Sequence, residues 1–244
     1  MANVPRSRDG RPPWVQAVAS RMTPAIKTLV IANAAIYLLY VFVRQVRPLV
    51  VEHLTVGPRM LHEPWQPVTA MLVHVDALTI IFGLIGLWFV GEYIERTLGT
   101  RRFLALFFGA GILANVATGL LVPRFGVREV YCGMSQAVLA LFVAFGRIYG
   151  RNPTQILGNL YLKATHAAIL FVGWALVANL LARDVPGLAG TIVVTLVGYL
   201  LGAPGGLREA YDTFRARRLR QRYKVLDGGV PTRAKGGRSQ KYWN

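Results

Sequence analysis

Hydrophobic residues occur along this chain in long runs separated by short polar segments. From Val73 to Val90 the only ionisable residues are His74 and Asp76, and residues 103–122 carry no charge. A helix needs about 20 mainly apolar residues to cross a bilayer. The pattern predicts six spanning helices at residues 26–43, 70–90, 103–122, 133–148, 164–182 and 186–202. The fourth and sixth are short, which suits helices covered by their neighbours rather than by lipid.

The composition supports a membrane domain with polar ends. The chain is 54% hydrophobic and 16% charged, which is too apolar for an ordinary soluble domain. The predicted fold is all-α: a polytopic membrane protein with a six-helix bundle. Its predicted parts are a basic segment at residues 1–25, the membrane domain at 26–203 and a basic, partly disordered tail at 204–244.

Basic residues are distributed unequally between the two ends of the predicted helices. One side carries 22 of the lysines and arginines, and the other carries six. Positive charge favours the cytoplasmic side, so we expect both termini in the cytoplasm and the bacterial inner membrane as the location. The net charge of +17 then reflects topology, and we expect the tail around Arg215–Lys224 to bind anionic lipid. A protein or nucleic-acid contact is the alternative for the tail, although no nucleic-acid partner is expected.

Small residues form stripes on three of the predicted helices. Such residues let membrane helices approach closely, so the stripes predict a centre made of helices two, four and six. The stripes comprise Thr79, Gly83 and Gly86; Ser135, Leu139, Phe142 and Gly146; and Gly187, Gly190 or Thr191, Val194, Gly198 and Gly202.

Few polar side chains lie at membrane depth, and most have an ordinary structural explanation. A serine or threonine in such a helix usually bonds a carbonyl of its own backbone, whereas the amide of Gln136 needs other partners. One cysteine and four scattered histidines do not indicate a metal site, and no cofactor is expected. The polar residues are Thr79, Asn115, Thr118, Ser135, Gln136, His166, Asn179, Thr191 and Thr195.

Four motifs, in this order and spacing, resemble those of the rhomboid family of intramembrane serine proteases. They are Trp65-Gln66-Pro67-Val68-Thr69 followed by His74; Gly91-Glu92-Tyr93-Ile94-Glu95-Arg96-Thr97-Leu98-Gly99 followed by Arg101-Arg102-Phe103; Gly133-Met134-Ser135; and Gly198-Tyr199-Leu200-Leu201-Gly202. The resemblance implies a six-helix fold in which a serine on helix four attacks a peptide bond of a transmembrane substrate. A histidine on helix six would take the proton, and a histidine and an asparagine on helix two would hold the oxyanion.

Only the nucleophile survives when these roles are carried over to this chain. Ser135 is present, but Thr191 stands at the position of the base, and no histidine follows His166. Thr79 and Gly83 stand at the positions of the oxyanion histidine and asparagine.

Three further residues differ from what the resemblance to the rhomboid motifs implies. Val194 occurs where a small residue is expected, Gln136 replaces the glycine after the serine, and Gln66 replaces a loop arginine. Gly133, Gln136, His74 and Trp65 are the candidates for contacts with a client or for packing.

These observations favour a non-proteolytic pseudoprotease that binds transmembrane segments of client proteins within the lipid bilayer. The first alternative is an active rhomboid serine endopeptidase with Ser135 as nucleophile. The second alternative is a small-solute transporter or channel, which the absence of intramembrane charge pairs disfavours.

Overall fold

The computed structural model describes residues 22–126, 130–150, 153–157, 160–203, 205 and 215. The basic N-terminal segment up to residue 21 and nearly all of the basic tail therefore lie outside the described residues. The elements are α1 (Pro24–Phe42), a short 3-10 turn (Arg44–Val46), α2 (Arg47–His53), α3 (Gln66–Thr69), α4 (Ala77–Leu98), α5 (Thr100–Phe125), α6 (Ser135–Tyr149), β1 (Pro153–Leu157), β2 (Leu160–Lys163), α7 (Ala164–Leu181) and α8 (Val185–Leu201).

The described residues form a helical bundle of the predicted class. Four of its helices, α1, α4, α5 and α7, are long and apolar enough to cross a membrane. The other two, α6 and α8, are also apolar but have only 15 and 17 residues. Every residue of α6 from Ala137 to Gly146 is buried, so the shorter fourth helix is indeed covered by its neighbours. A short antiparallel hairpin, β1–β2, connects α6 to α7 and was not predicted.

The second and fourth predicted helices begin later in the structure than the hydrophobic pattern indicates. The second helix begins at Ala77 rather than residue 70, because Asp76 is extended and its carboxylate caps the helix by accepting the backbone N–H of Thr79 at 2.7 Å. The fourth begins at Ser135 rather than Gly133, whose φ of +95° is incompatible with a right-handed helix. Hydrophobicity alone did not reveal these boundaries, because the apolar run continues through the preceding turns. His74 and Gly133 therefore lie in connecting segments.

The predicted centre of helices two, four and six is only partly correct. The small residues do make close contacts: Gly86 faces Val138, and Gly198 faces the backbone of Ala140, so α6 packs against both α4 and α8. However, α5 packs extensively against α8 and also contacts α6. Gly190 of α8 faces Thr118 of α5. The centre therefore consists of α5, α6 and α8, with α4 and α7 on the sides of α6.

Candidate functional site

Ser135 is the first residue of α6, and its side chain is exposed. The preceding turn is fixed by a hydrogen bond from the Gly133 N–H to the Ala70 carbonyl at 2.8 Å. A β-carbon on Gly133 would lie 3.3 Å from side-chain atoms of both His74 and Thr79. Glycine is therefore required here for its positive φ and for the close approach of its neighbours.

His74 is fully buried against this turn. Its Nε2 accepts the backbone N–H of Met134 at 3.3 Å, so in this arrangement Nε2 is unprotonated. The histidine thus supports the backbone immediately before Ser135. The Met134 N–H, which is bonded to the ring, is not available to a developing oxyanion next to Ser135 unless this hydrogen bond breaks.

Thr79 and Gly83, the two α4 residues predicted to stand at the oxyanion positions, lie beside the same turn. Thr79 is in the first turn of α4, and its methyl group approaches Gly133. A β-carbon on Gly83 would lie 3.1 Å from Cγ and 3.2 Å from Cε of Met134, a side chain that is fully buried. Met134 therefore fills the space that an asparagine at residue 83 would occupy, and the sequence motif did not reveal this role.

Thr191, the residue predicted to stand at the position of the base, is buried and forms a hydrogen bond to another helix. Its Oγ1 accepts from Nδ2 of Asn179 on α7 at 3.0 Å. Val194, one turn further along α8, is fully buried. Sequence reasoning took Asn179 only as a polar residue at membrane depth. Asn179 lies near the end of α7 and Thr191 lies in the first half of α8. The short connection between these two helices was the sequence signal that would have identified the pair.

Gln136 points towards α8. Its Nε2 lies 3.4 Å from the position of a β-carbon on Gly190, and Thr118 borders the same glycine. Its Oε1 is buried without a hydrogen-bond partner among the described residues. The amide therefore occupies space between α6 and α8, close to Gly190 and the neighbouring Thr191.

His166 lies at the opposite end of α6 from Ser135. The neighbouring Thr165 donates a hydrogen bond to the carbonyl of Gly150 at 3.0 Å, which places the start of α7 beside the end of α6. A rise of about 1.5 Å per residue puts the two ends of α6 roughly 20 Å apart. His166 therefore cannot serve Ser135 as a base in this fold.

Trp65 and Gln66 belong to a polar cluster where the connection from α2 meets the start of α3. The indole N–H of Trp65 donates to the His53 carbonyl at 3.0 Å. Gln66 is fully buried; its amide donates to Glu63 at 2.8 Å and accepts the Gly57 N–H at 3.3 Å. Gln66 thus organises this loop by hydrogen bonding. The His53 ring bonds the other oxygen of Glu63 at 2.8 Å, and this contact holds the pKa of Glu63 below its usual range.

Comparisons with known proteins identify the family of this chain. Residues 61–208 match the family model described as the rhomboid domain. The chain is 26% identical over 166 residues to the rhomboid protease GlpG of Enterobacter sp. (strain 638). The aligned residues make up 66% of this chain and 57% of that protein. It is 31% identical over 110 residues to YdcA of Bacillus subtilis (strain 168), covering 45% of this chain and 53% of that protein.

The rhomboid protease GluP of Bacillus subtilis (strain 168) is 33% identical over 61 residues, or 25% of this chain and 12% of that protein. The chain thus spans little more than half of GlpG and YdcA and a smaller part of GluP. The domain match covers most of the chain and includes Ser135, Thr79, Gly83 and Thr191. The chain belongs to the rhomboid family.

Proposed function

We propose that this rhomboid-family membrane protein is a non-proteolytic pseudoprotease that binds transmembrane segments of client proteins. The observation that carries the proposal is the hydrogen bond between Thr191 and Asn179 at the position where the family places its base. A threonine hydroxyl does not accept a proton near neutral pH, and here its oxygen is already bonded. Without a base at residue 191, the Ser135 hydroxyl is a poor nucleophile.

The surroundings of Ser135 support the same conclusion. Met134 fills the space beside Gly83, and its N–H is bonded to His74, so two sources of oxyanion stabilisation are lost. Removing the base alone from a serine protease lowers turnover about a million-fold. Preorganised oxyanion donors are normally worth a further factor of about a hundred to a thousand each.

An active serine endopeptidase is the second candidate. Ser135 is exposed at the start of a helix after an intact Gly-x-Ser turn, and two of the similar proteins are named rhomboid proteases. For this candidate, a residue other than the one at the family's base position must accept the proton of the Ser135 hydroxyl.

A comparison of the wild-type protein with Ser135→Ala separates the two candidates. Both proteins are reconstituted in liposomes with a single-span model substrate, and cleavage and labelling by a serine-directed phosphonate are measured. We expect no cleavage or labelling that depends on Ser135. A rhomboid protease assayed in parallel shows that the substrate is cleavable. Cleavage by the wild type that disappears in Ser135→Ala would establish the endopeptidase instead.

We infer six membrane spans, with α6 and α8 as the short ones, both termini in the cytoplasm and the bacterial inner membrane as the location. The 22 to six distribution of basic residues supports this orientation. Reporter fusions at residues 22 and 205 test it, since both should report the cytoplasmic side. Flotation of the tail peptide with anionic but not neutral vesicles tests lipid binding.

A further inference from the structure

One end of the bundle collects the last turns of α4, α6 and α8 and the first turns of α5 and α7. Glu95 of α4 accepts a hydrogen bond from Thr100, the first residue of α5, at 2.7 Å. Thr97 of α4 bonds Tyr149 near the end of α6. Arg147 of α6 in turn contacts Tyr199 near the end of α8. These contacts between terminal turns place the residues discussed below at the same end of the molecule.

The exposed charge at this end is positive, and we call it the basic end. Of its two acidic residues in the described part of the chain between residues 22 and 205, Glu95 is only 4% exposed. The other, Glu92, forms an ion pair with Arg96 at 3.0 Å. The described basic residues there are Lys27, Arg96, Arg101, Arg102, Arg147 and Lys163. An anionic ligand is therefore attracted to this surface.

Tyr199 holds the guanidinium of Arg147 in a fixed position. Nη1 of Arg147 donates to the Tyr199 carbonyl, and Cζ lies 4.4 Å from the centroid of the Tyr199 ring. No carboxylate of the described residues forms an ion pair with Arg147. A guanidinium has five N–H donors in a planar fork that matches the oxygens of a phosphate. Because one contact to a backbone carbonyl leaves most of these donors unused, Arg147 is prepared to bind a phosphate.

An exposed apolar stripe on α8 leads away from Arg147. Ile192, Leu196 and Tyr199 follow one another at i, i+4 and i+7, so they share one face of the helix, and they are 55%, 57% and 49% exposed. At about 1.5 Å per residue, the stripe runs roughly 10 Å from Tyr199 towards the middle of α8. One leaflet of a bilayer has a hydrocarbon depth of about 15 Å. A cation followed by an apolar stripe of this length matches a phospholipid headgroup followed by its acyl chain.

We propose that Arg147 binds the phosphate of an anionic phospholipid whose acyl chain lies along Ile192, Leu196 and Tyr199. A zwitterionic lipid carries its own cation, which the basic end repels, whereas an anionic headgroup has no such penalty. A free phosphate would gain nothing from the apolar stripe, so the surface fits a lipid better than a soluble anion. This site does not require client binding, since it lies at the opposite end of α6 from Ser135.

Photocrosslinking to lipid at Leu196 tests the site directly. The full chain with p-benzoylphenylalanine at residue 196 is reconstituted in liposomes that contain equal amounts of phosphatidylglycerol and phosphatidylcholine with the same acyl chains. After irradiation, mass spectrometry gives the ratio of the two lipids in the adducts. We expect phosphatidylglycerol to be favoured about fivefold, the factor that corresponds to about 1 kcal/mol for one arginine near an anionic headgroup. Adducts in the bilayer ratio would overturn the site without any further variant.

Two variants and a second probe position assign the preference to Arg147. Arg147→Gln should return the ratio at Leu196 to about one, and an unchanged ratio would overturn the site. Arg96→Gln is the matched control, because it removes an arginine at the same end that is already paired with Glu92, and it should leave the ratio unchanged. The same probe at Ile85 of α4, which is 52% exposed and lies farther from the basic end, should report the bilayer ratio. Equal enrichment at Ile85 and Leu196 would show general accumulation of anionic lipid and overturn a specific site.

Competition with inorganic phosphate distinguishes the lipid from a soluble anion. The crosslinking at Leu196 is repeated in sodium phosphate and in sodium chloride of equal ionic strength. Screening weakens the preference for phosphatidylglycerol equally in both salts, so we expect the two ratios to agree. A preference that phosphate abolishes and chloride does not would assign Arg147 to free phosphate and overturn the lipid site.

Discussion

Met134 and Gly83 are complementary in shape: Cγ of Met134 lies 3.1 Å from the position where Gly83 would carry a β-carbon. Gly83→Asn should therefore overpack this contact and lower the free energy of unfolding by about 1–3 kcal/mol. Met134→Ala leaves a cavity and should cost about 2–5 kcal/mol by itself. In the double variant the asparagine enters that cavity, so the combined loss should be smaller than the sum. Equilibrium unfolding in mixed micelles measures all three variants, and additive losses would contradict the complementarity.

Gly198 is expected to be intolerant of substitution for a different reason. Its missing β-carbon would lie 2.8 Å from the carbonyl oxygen and 2.9 Å from Cα of Ala140, and a backbone cannot move aside as a side chain does. Gly198→Ala should lower stability by about 1–3 kcal/mol. Gly173→Ala is the matched control, since no atom lies within 4 Å of that position and alanine has the higher helix propensity. Equal effects of the two variants would show that α6 and α8 do not depend on this close approach.

Gln66 should contribute more to stability than its exposed neighbour. Gln66→Ala leaves the Gly57 N–H and a Glu63 oxygen without the partner that the amide supplies, which costs about 1–3 kcal/mol for a buried site. Trp65→Phe removes only one hydrogen bond, from a side chain that is 48% exposed. Chemical unfolding of the two variants should therefore rank Gln66→Ala as the more damaging. The reverse order would show that the loop is held mainly by the indole.

The stability of this loop should fall in acid. The pKa of Glu63 is lowered, chiefly by its hydrogen bond to His53, so the folded state favours the carboxylate. The resulting stabilisation is present above the ordinary glutamate pKa of about 4.3 and is lost as the pH falls through the lower folded-state value. Unfolding midpoints measured between pH 6 and pH 3 should therefore decline less in Glu63→Gln than in the wild type. Glu92→Gln, which removes an ion pair with Arg96, serves as the carboxylate control. Identical slopes in wild type and Glu63→Gln would contradict the assignment.

The sequence predicted the helices well and the ends of two of them poorly. Long apolar runs identify a spanning helix because the bilayer requires them, but an apolar run does not mark where a helix begins. The extended conformation of Asp76 and the positive φ of Gly133 set the starts of α4 and α6. Both depend on local hydrogen bonds and on contacts with other segments. The stripes of small residues showed which faces pack closely, but their period could not show that Gly190 faces Thr118 of α5.

The sequence by itself determined the membrane-bundle class, the Gly133-Met134-Ser135 motif and the absence of any histidine after His166, because these depend on residue identity and order. Only the tertiary structure decided which side chains surround Ser135 and the other candidate site residues. Met134 fills the space beside Gly83, His74 bonds the backbone before Ser135, and Asn179 bonds Thr191. The physical reason is that each of these relationships joins residues from separate segments. Their distances depend on how the helices pack, which the spacing of residues along the chain does not specify.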